Sequence, residues 1–562
     1  MDNIRIFVWA GLALLLWMNF QAWQKDYSAV PVLERPLSNG KGTTLPSVPG
    51  SVDDSSKEVP IDSGLPEIPN APAVSESPEI GATSPVVRRN LIHVQTDVLD
   101  IQIDRRGGDI VSAKLLSYPF RKDQPDIPVT LLNSDINELF VFHTGLRALD
   151  GGSEANHLST FTAERDEYIL QEGSSELIVR LTWAGADGIA AEKKYRFIRG
   201  NYAIDLDQVV HNDSKSPYRF VSYLQIQRRH QPPERSMFDV DSYSYTGPVV
   251  YDGEKYEKLD VEDLPEEPFK ETISGGWFAS IQHHFLAAII PSGSETANFQ
   301  ASFDGTTYVL SAIDVQATTV QPGESGSVTS KFFVGPKLQS QLADTADGLP
   351  LTVDYGIFTI LSQPLFWLLQ KVFNFVGNWG WTIIIVTLLI KLAFYKLTEA
   401  SGKSMGKMRK LQPRLKSLQD RYKDDREALS KAMMDLYKRE KVNPAAGCLP
   451  MLIQIPFFMA FYWVLLESVE MRQASFMLWI TDLSSRDPWF ILPLLMGAAM
   501  FFQQRLNPAP PDPMQAKVMQ FLPIMFTAMF AFFPAGLVLY WLTNSVLSMA
   551  QQWKINKALG AN

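Results

Sequence analysis

The sequence has 562 residues and a formal net charge of −10 at pH 7, but the charge is divided unequally along the chain. Residues 351–562 carry 22 Lys+Arg and 13 Asp+Glu, so subtraction from the totals of 51 and 61 leaves 29 and 48 for residues 1–350. This division argues against a nucleic-acid-binding protein, which gathers positive charge on a soluble face, and predicts a membrane protein with an exported domain. Cys448 is the only cysteine, so the exported domain has no disulfide framework.

The first 85 residues predict an anchor and a tether. Ile4 to Trp23 is an apolar stretch of about 20 residues, which is long enough to span a bilayer. It lacks the small-residue cleavage site of a secretory signal peptide, so we expect an uncleaved anchor over 1–27 with a cytoplasmic N-terminus. Residues 28–85 hold ten of the 36 prolines among Ser, Gly, Asp and Glu, a composition typical of a disordered tether.

Residues 86–350 have the pattern of an antiparallel β-sandwich. Short stretches such as Leu99-Asp-Ile-Gln-Ile103 alternate apolar and polar residues, and turn signals such as Arg106-Gly-Gly-Asp109 separate them. His283 and His284 fall in an expected strand, where neighbouring side chains face opposite sides and cannot hold one metal ion. We expect no metal site and no catalytic site here.

The rest of the chain predicts an amphipathic helix and five further membrane spans. Residues 351–377 are apolar but interrupted by polar residues and a proline, which favours an interfacial helix on the outer leaflet over a seventh span. The expected spans are 379–397, 447–469, 488–505, 515–533 and 536–553. With the anchor they make six, so both termini and residues 399–446 fall in the cytoplasm, and residues 24–378 in the periplasm. Segment 396–441 has 14 Lys+Arg and seven Asp+Glu, as the positive-inside rule requires.

Residues 399–446, which follow the span at 378–398, predict a coiled-coil hairpin. Apolar residues repeat every three or four positions from Met408 to Tyr422 and again from Leu429 to Leu436. Asp424 to Glu427 has the form of a capping box that opens the second helix. Ser401-Gly402 and Asn443-Pro444 join the hairpin to the spans and favour its reorientation. The hairpin residues expected to meet substrate, ribosome or lipid are Met405, Lys407, Met408, Arg409, Lys410 and Arg414.

A lysine interrupts the span at 378–398. Lys391 lies ten residues beyond Trp381, about 15 Å along a helix. An ammonium at that depth costs at least about 3 kcal/mol unless it faces water or a partner, which makes Lys391 a candidate functional residue. The alternative is snorkelling, in which the side chain carries its charge to the interface that Lys396 marks.

Other polar residues in the spans are biased toward the cytoplasmic half. Thr387 shares a helical face with Lys391, and the remaining members are Gln454, Gln503, Gln504, Gln520, Tyr540, Thr543, Asn544 and Ser548. Each could instead make an ordinary helix–helix hydrogen bond. Together with Lys391 they predict a water-accessible groove that is closed on the outer side. Fifteen of the 18 methionines lie between Met405 and Met549, as suits a surface that accepts varied apolar partners, or ordinary core filling.

Several motifs resemble the YidC membrane protein insertase family of Gram-negative bacteria, within the wider Oxa family. They are Gly377-Asn-Trp-Gly380, Met408-x-x-Leu-Gln-Pro413, Tyr437-Lys-x-Glu-Lys-Val-Asn-Pro444, Gly447-Cys-x-Pro-x-Leu-Ile-Gln-x-Pro456 and Phe533-Pro-x-Gly-Leu-Val-Leu-Tyr540. The resemblance covers the whole chain. It implies a multi-domain membrane protein with a six-span helical bundle, a large periplasmic β-supersandwich and a cytoplasmic helical hairpin.

The resemblance also implies insertion of membrane proteins, alone or beside the Sec translocon, without covalent catalysis or a cofactor. Thr387, Gln454, Tyr540 and Trp541 match groove or substrate-facing positions of the family. Lys391 matches a position that is usually arginine, so the charge is kept but the planar fork is not.

These observations predict a partitioning catalyst for nascent membrane proteins. An acidic or polar segment of the substrate enters the groove toward Lys391, with Gln520 and Asn544 among its polar lining. The apolar span of the substrate meanwhile slides past Ile455, Phe458 and Phe526 into lipid, and burial of that span supplies the free energy. Besides the substrate, we expect the ribosome, the Sec translocon and anionic phospholipid as partners.

Two alternatives come from other classes of protein. A small-solute transporter would show an inverted repeat with paired broken helices around a midplane site, and the sequence has neither. A carbohydrate-active periplasmic domain would need an acid/base pair in a cleft of the sandwich, which sequence alone does not exclude.

Overall fold

The computed structural model describes residues 91–232, 244–292, 296–422, 425–440, 442, 449–506 and 513–558. The anchor predicted at 1–27 and the tether predicted at 28–85 lie outside these residues, as does the Asn443-Pro444 joint. The described chain divides into a β domain followed by a helical region.

The β domain contains twenty strands among the described residues. They are β1 (Leu91–Gln95), β2 (Leu99–Asp104), β3 (Asp109–Arg121), β4 (Gln124–Leu132), β5 (Phe140–Ala148), β6 (Thr162–Ala163), β7 (Glu167–Ile169), β8 (Glu176–Ala184), β9 (Ile189–Ile198), β10 (Ala203–Asn212), β11 (Tyr218–Arg229), β12 (Thr246–Tyr251), β13 (Tyr256–Lys258), β14 (Phe269–Ser274), β15 (Trp277–Gln282), β16 (Phe285–Ile290), β17 (Thr296–Phe303), β18 (Thr307–Asp314), β19 (Thr318–Val320) and β20 (Ser325–Pro336).

The strands form three sheets. A five-stranded sheet has the order β4-β3-β2-β1-β7, and a nine-stranded sheet has the order β13-β12-β15-β16-β20-β10-β9-β8-β6. The third sheet has the order β14-β17-β18-β11-β19, with β5 also paired to β11. Among the pairings described, that of β1 with β7 is parallel and the others are antiparallel. The prediction of a domain made mostly of antiparallel β-sheet is therefore confirmed.

Lys193 occupies an inward-facing position in β9, where every second residue is buried. Its Nζ donates to the carbonyl oxygen of Thr144 at 2.8 Å and to that of Gly107, and lies 3.4 Å from Asp109 Oδ1. These residues belong to different sheets, since Asp109 begins β3, Thr144 lies in β5 and Lys193 lies in β9. The contacts of Lys193 therefore hold the three sheets together.

The prediction of a strand through His283 and His284 is wrong. Strand β15 ends at Gln282 and strand β16 begins at Phe285, so the two histidines form the turn of this hairpin. His283 has a φ of 50°, and the two imidazole rings stack with their centroids 3.7 Å apart. The sequence hides this turn because both flanking strands are almost continuously apolar and buried, and neither glycine nor proline marks the turn.

The helical region follows the last strand. Its helices are α1 (Gln339–Thr345), α2 (Thr359–Val376), α3 (Trp379–Ala393), α4 (Tyr395–Arg421), α5 (Arg426–Arg439), α6 (Leu449–Glu467), α7 (Ile491–Leu506), α8 (Pro513–Phe530) and α9 (Ala535–Ala558). Short 3₁₀ helices occupy Leu349–Thr352, Gly356–Phe358 and Val469–Met471. In the described part of the chain, no single helix is both long and apolar enough to cross a membrane, although Trp379–Ala393 and Tyr395–Met408, bent by 69°, reach that length together.

The bend between α3 and α4 lies at Phe394, not at the glycine that the sequence favoured. Helix α4 continues through Ser401 and Gly402 without a break. A Cβ on Gly402 would lie 2.7 Å from Ile555 Cδ1 and 3.0 Å from Gln552 Oε1, both in α9. The glycine therefore permits close helix packing, and the prediction that Ser401-Gly402 is a hinge is wrong.

Helices α4 and α5 form the hairpin that the apolar pattern predicted. Leu411, Leu415, Tyr437 and Val442 make a small buried cluster between them. The N-cap of α5 is Asp425, whose carboxylate accepts from the backbone N–H of Glu427 and Ala428, so the expected capping box begins one residue too early. The N-cap is the aspartate whose carboxylate accepts from the free N–H groups of the first helical turn. Asp424 and Asp425 are both aspartates, so the sequence pattern does not show which of them takes this position.

A buried ion pair joins the β domain to the helices. Lys337 follows β20, and its Nζ lies 2.8 Å from Glu467 Oε2 at the end of α6. Both side chains are buried, and Lys337 also donates to the carbonyl oxygen of Thr352 at 3.3 Å. Because removal of one partner would leave a buried charge, this contact holds the end of the β domain against α6.

Candidate functional site

A cavity of about 450 Å³ opens between the helices of the second half. One part of its lining is polar: Lys391, Thr398, Ser401, Gln454, Gln503, Gln504, Asn544, Ser545, Ser548, Gln551 and Gln552. The other part is apolar: Met405, Met408, Ile455, Phe458, Met500, Met519, Leu522, Pro523 and Trp541. A site with both kinds of wall can hold a polar segment beside an apolar one.

Lys391 lies in the last turn of α3 rather than in the middle of a continuous helix. This position follows from the break at Phe394, which shortens the expected span. The free carbonyl groups at a helix C-terminus favour a nearby cation, so the bend itself helps to accommodate the ammonium.

The ammonium of Lys391 donates to Ser548 Oγ at 2.6 Å, and Ser548 Oγ donates to the carbonyl oxygen of Asn544 at 2.7 Å. Among the residues that the structure describes, Lys391 has no carboxylate in ion-pair range. An ammonium has three donors, and one of them is used by the described residues. Its remaining donors are available to a ligand in the cavity.

A second, smaller cavity of about 50 Å³ meets the first at Lys391. Thr387, Gln454, Tyr540 and Asn544 are among the residues that line it. Thr387 donates its hydroxyl to the carbonyl oxygen of Ile383 at 2.6 Å, so this side chain satisfies its own helix. Lys391 thus lies between a wide cavity and a narrow extension.

An aromatic cluster borders the wide cavity. The Phe458 and Trp541 rings meet edge to face with centroids 4.8 Å apart, and Phe526 stacks on Trp541 at 6.1 Å. Ile455 is exposed and lines the cavity, whereas Phe526 packs against Trp541 and does not itself line the cavity. The residues predicted to form the apolar path are therefore close together.

The hairpin residues divide into two groups. Met405 and Met408 line the cavity, so α4 brings its thioethers to the groove. Lys407, Lys410 and Arg414 are exposed on the hairpin, and Arg414 pairs with Glu440 at 2.6 Å. The side chain of Arg409, predicted with them, lies outside the described part of the structure.

Gln520 does not take part in this arrangement. It is exposed on α8 and does not line either cavity, whereas its neighbour Met519 does. Its position early in the expected span was the only argument for it, and depth alone does not specify which face of a helix a residue occupies.

Ser548 belongs to the polar residues predicted for the groove, but its bond to Lys391 was not predicted. Thr398, Ser545, Gln551 and Gln552 also line the cavity and were not predicted to do so. The signal was a polar stripe on α9 with helical spacing, which includes Asn544, Ser548 and Gln551. Gln551 donates to Thr398 Oγ1 at 2.7 Å and so joins α9 to α4. This polar stripe continues to the expected end of the span at residue 553. Polar residues at the end of a span are usually interpreted as facing the membrane–water interface, not as lining a groove.

The described residues contain no group of three or more His, Cys, Asp or Glu that could hold a metal ion. The chemistry that the cavity offers is therefore that of amides, hydroxyls, thioethers, aromatic rings and one ammonium. These groups can bind and orient a polypeptide segment.

Comparison with known proteins agrees with the resemblance. Residues 91–368 match the family model of the YidC periplasmic domain, and residues 371–561 match that of the 60Kd inner membrane protein. The membrane protein insertase YidC of Thioalkalivibrio sulfidiphilus is 46% identical over 566 residues, covering 99% of this chain and 98% of the relative. That of Nitrosococcus oceani is 45% identical over 565 residues, covering 100% and 99%.

A solved structure described as an active YidC insertase with its first transmembrane domain resolved is also similar. It is 20% identical with a TM-score of 0.38, and the match covers 83% of this chain and 92% of that one. The two family models together span nearly all of the described chain, and the curated relatives match it from end to end. The chain belongs to the YidC membrane protein insertase family.

Proposed function

We propose that this insertase admits a polar segment of a nascent membrane protein into the cavity around Lys391, from the cytoplasmic side. The observation that carries the proposal is that the ammonium of Lys391 faces a two-sided cavity and has a single partner, Ser548, among the described residues. A lysine kept only for stability would be expected to have its donors satisfied. An acidic or polar substrate segment would supply the missing partners.

The apolar wall provides the second part of the mechanism. While the polar segment lies beside Lys391, the apolar span of the substrate passes Ile455 and Phe458 toward lipid, with Phe526 supporting the path. Its burial in the bilayer releases about 25 cal/mol for each Å² of apolar surface, so a nucleotide is not required as an energy source. The protein lowers the free-energy barrier to crossing because the groove gives the polar atoms of the segment hydrogen-bond partners while they are away from water.

We propose six spans, with the anchor first and helices α3, α6, α7, α8 and α9 as the others. Helices α3, α7 and α8 have 15, 16 and 18 residues, so each extends about 22–27 Å, less than a hydrocarbon core of about 30 Å. Short helices thin the bilayer around them, which reduces the distance that a polar segment must cross. Helix α2 would lie on the outer leaflet, both termini in the cytoplasm and the β domain in the periplasm.

The hairpin of α4 and α5 would receive the substrate. Its exposed Lys407 and Lys410 suit ribosomal RNA and anionic phospholipid, both of which carry phosphate. Its Met405 and Met408 line the cavity, so a chain arriving at the hairpin is already beside the groove. The Sec translocon is proposed as a further partner on the family resemblance alone.

Site-specific crosslinking of stalled ribosome–nascent chains tests the proposal. A photoreactive residue at Ile455 or Phe458 should crosslink to the substrate span, and the same residue at the exposed Leu494 of α7 should not. Gln520, which faces away from the cavity, provides a second negative control. Equal crosslinking at all four positions would contradict a path through this cavity.

A further inference from the structure

The hairpin of β3 and β4 extends beyond its own sheet. Residues 120–127 are all exposed, although Pro119 pairs with Pro128 and Arg121 with Gln124. Two large apolar side chains lie here, Phe120 with 57% and Ile127 with 52% of its surface exposed. In the described structure, the hairpin therefore presents an apolar end that its own domain does not cover.

This end is fastened to the loop between α6 and α7. The guanidinium of Arg472 donates to the carbonyl oxygens of Pro119 and Phe120 at 3.0 and 3.1 Å. In return, Lys122 Nζ donates to the carbonyl oxygen of Gln473 at 2.8 Å and to Ser475 Oγ at 2.9 Å. Because each segment donates hydrogen bonds to the other, the position of the hairpin relative to this loop is fixed.

The same loop is fastened to the start of α3, the proposed second span. Asn378, the N-cap of α3, donates its side-chain amide to the carbonyl oxygens of Ser475 and Phe476 at 3.4 and 3.1 Å. The Phe476 ring lies against Gly380, where a Cβ would come within 2.0 Å of it. Ser475 thus contacts both Lys122 of the hairpin and the N-cap residue of α3.

Exposed aromatic and apolar residues continue from the hairpin onto this loop. Leu478 is 76% and Trp489 65% exposed, and Trp489 stacks on Trp479 with centroids 6.2 Å apart. Trp381, at the start of α3, is also exposed. Tryptophan is enriched where a membrane protein meets the headgroup region, and these residues lie beside the outer ends of α3 and α7.

We infer that the end of the β3–β4 hairpin rests in the outer-leaflet interface of the bilayer, with Phe120 and Ile127 inserted beside Leu478 and Trp489. The inference rests on the span orientation proposed above. A lipid surface fits because the exposed residues are continuous with the ends of the membrane helices. The exposed Arg121 can meanwhile reach headgroup phosphates. The contact gives the β domain a second support on the membrane, besides the covalent connection at its C-terminal end.

Spin labels in the full-length protein can test this contact. The single cysteine permits a Cys448→Ser background, in which Phe120→Cys and Ile127→Cys carry a nitroxide. Ile169→Cys is the matched control, because Ile169 is 45% exposed in β7, at the opposite edge of the same five-stranded sheet. Leu494→Cys, at an exposed position of α7, reports separately on the proposed span.

The measurement is the collision rate of each label with oxygen and with a water-soluble nickel chelate. The protein is reconstituted alone in vesicles of phosphatidylethanolamine and phosphatidylglycerol. We expect the labels at 120 and 127 to lie about 5–10 Å below the surface, at the boundary of headgroups and acyl chains. The label at 169 should be fully accessible to nickel.

Three results would overturn the inference. If 120 and 127 are as accessible to nickel as 169 while 494 is in lipid, the hairpin contact is wrong and the proposed span stands. If 494 is also aqueous, the proposed orientation fails together with the contact. If the labels become shielded only when purified translocon is added, the hairpin contacts a protein instead of lipid.

Discussion

Two lysines, one in each half of the molecule, have opposite surroundings. Lys193 is 2% exposed and contacts two carbonyl oxygens and a carboxylate, with its Nζ 4.9 Å from the centre of the Phe161 ring. Lys391 has one described hydrogen bond, to Ser548, and faces a cavity. The same side chain thus ties sheets together in one region, whereas in the other it has a single partner among the residues that the structure describes. Lys193 is buried and Lys391 only partly buried, and the two lysines also differ in the number of their described partners.

The largest expected effect tests the structural lysine. Lys193→Met should lower the free energy of unfolding of the β domain by about 3–5 kcal/mol, because it leaves the buried Asp109 without its ammonium partner. Denaturant unfolding of the full chain, followed by protease resistance of the β domain, measures the change.

Its control is the next residue along the strand. Lys194 lies on the half-exposed face of β9, so Lys194→Met should change the stability by no more than about 0.5 kcal/mol. Insertion by the folded fraction of Lys193→Met should remain normal. A specific insertion defect in molecules with an intact β domain would show that the two lysines are not separate in function.

The functional lysine should show the reverse pattern. Lys391→Arg should retain insertion, whereas Lys391→Ala should slow insertion of substrates with acidic translocated segments about tenfold, the equivalent of 1.4 kcal/mol. Lys391→Glu should be worse, because it repels the same segment. Insertion into reconstituted vesicles measures these rates.

A substrate whose translocated segment is neutral provides the comparison for each Lys391 variant. Its insertion should depend less on the charge at this position. Full activity of Lys391→Glu on the acidic substrate would contradict the electrostatic role.

A smaller effect is expected from the partner of Lys391. Ser548→Ala removes a hydrogen bond that contributes about 1 kcal/mol, so insertion of the acidic substrate should slow by about fivefold. Ser545→Ala removes a hydroxyl from the same cavity without touching the ammonium, and should have less effect. If Ser545→Ala and Ser548→Ala behave alike, Ser548 does not position the lysine.

The smallest effect on insertion itself is expected from exposed lysines. Lys407→Gln with Lys410→Gln should weaken ribosome binding, and the difference from the unmodified protein should disappear as salt rises. Lys215→Gln with Lys255→Gln makes the same charge change on exposed positions of the β domain and should leave ribosome binding unaltered. Insertion of a chain that is already delivered should remain unchanged. If it falls in parallel with ribosome binding, the hairpin acts in the insertion step.

Much of the architecture could be predicted because it depends on local periodicity. The alternation in β9 and β10 requires only that one face of each strand be buried. The helix seams of α4 and α5 follow from apolar residues three and four apart. The turn at His283 could not be found in the same way, since the apolar pattern continues on both sides of it.

Part of the candidate site could be predicted for a similar reason. Lys391 and Thr387 are one turn apart on a single helix, and the match of Tyr540 and Gln454 to a groove came from the family motifs. Gln520 was selected by its depth in a span, but it faces away from the cavity. The face of α8 that lines the cavity is set by packing against α7, which no local pattern records.

The sequence by itself thus determined the β and helical elements, the charge of the two halves and the lysine of the candidate groove. Only the tertiary structure decided which partners these residues have. Lys391 and Ser548 are 157 positions apart, and Lys122 and Ser475 are 353 apart. Their contacts depend on how whole elements pack, and a bend at Phe394 or a close approach at Gly402 changes that packing. Periodicity in the sequence predicts which face of a helix or strand is buried. Which other helix or strand packs against that face depends on the free energy of the complete fold.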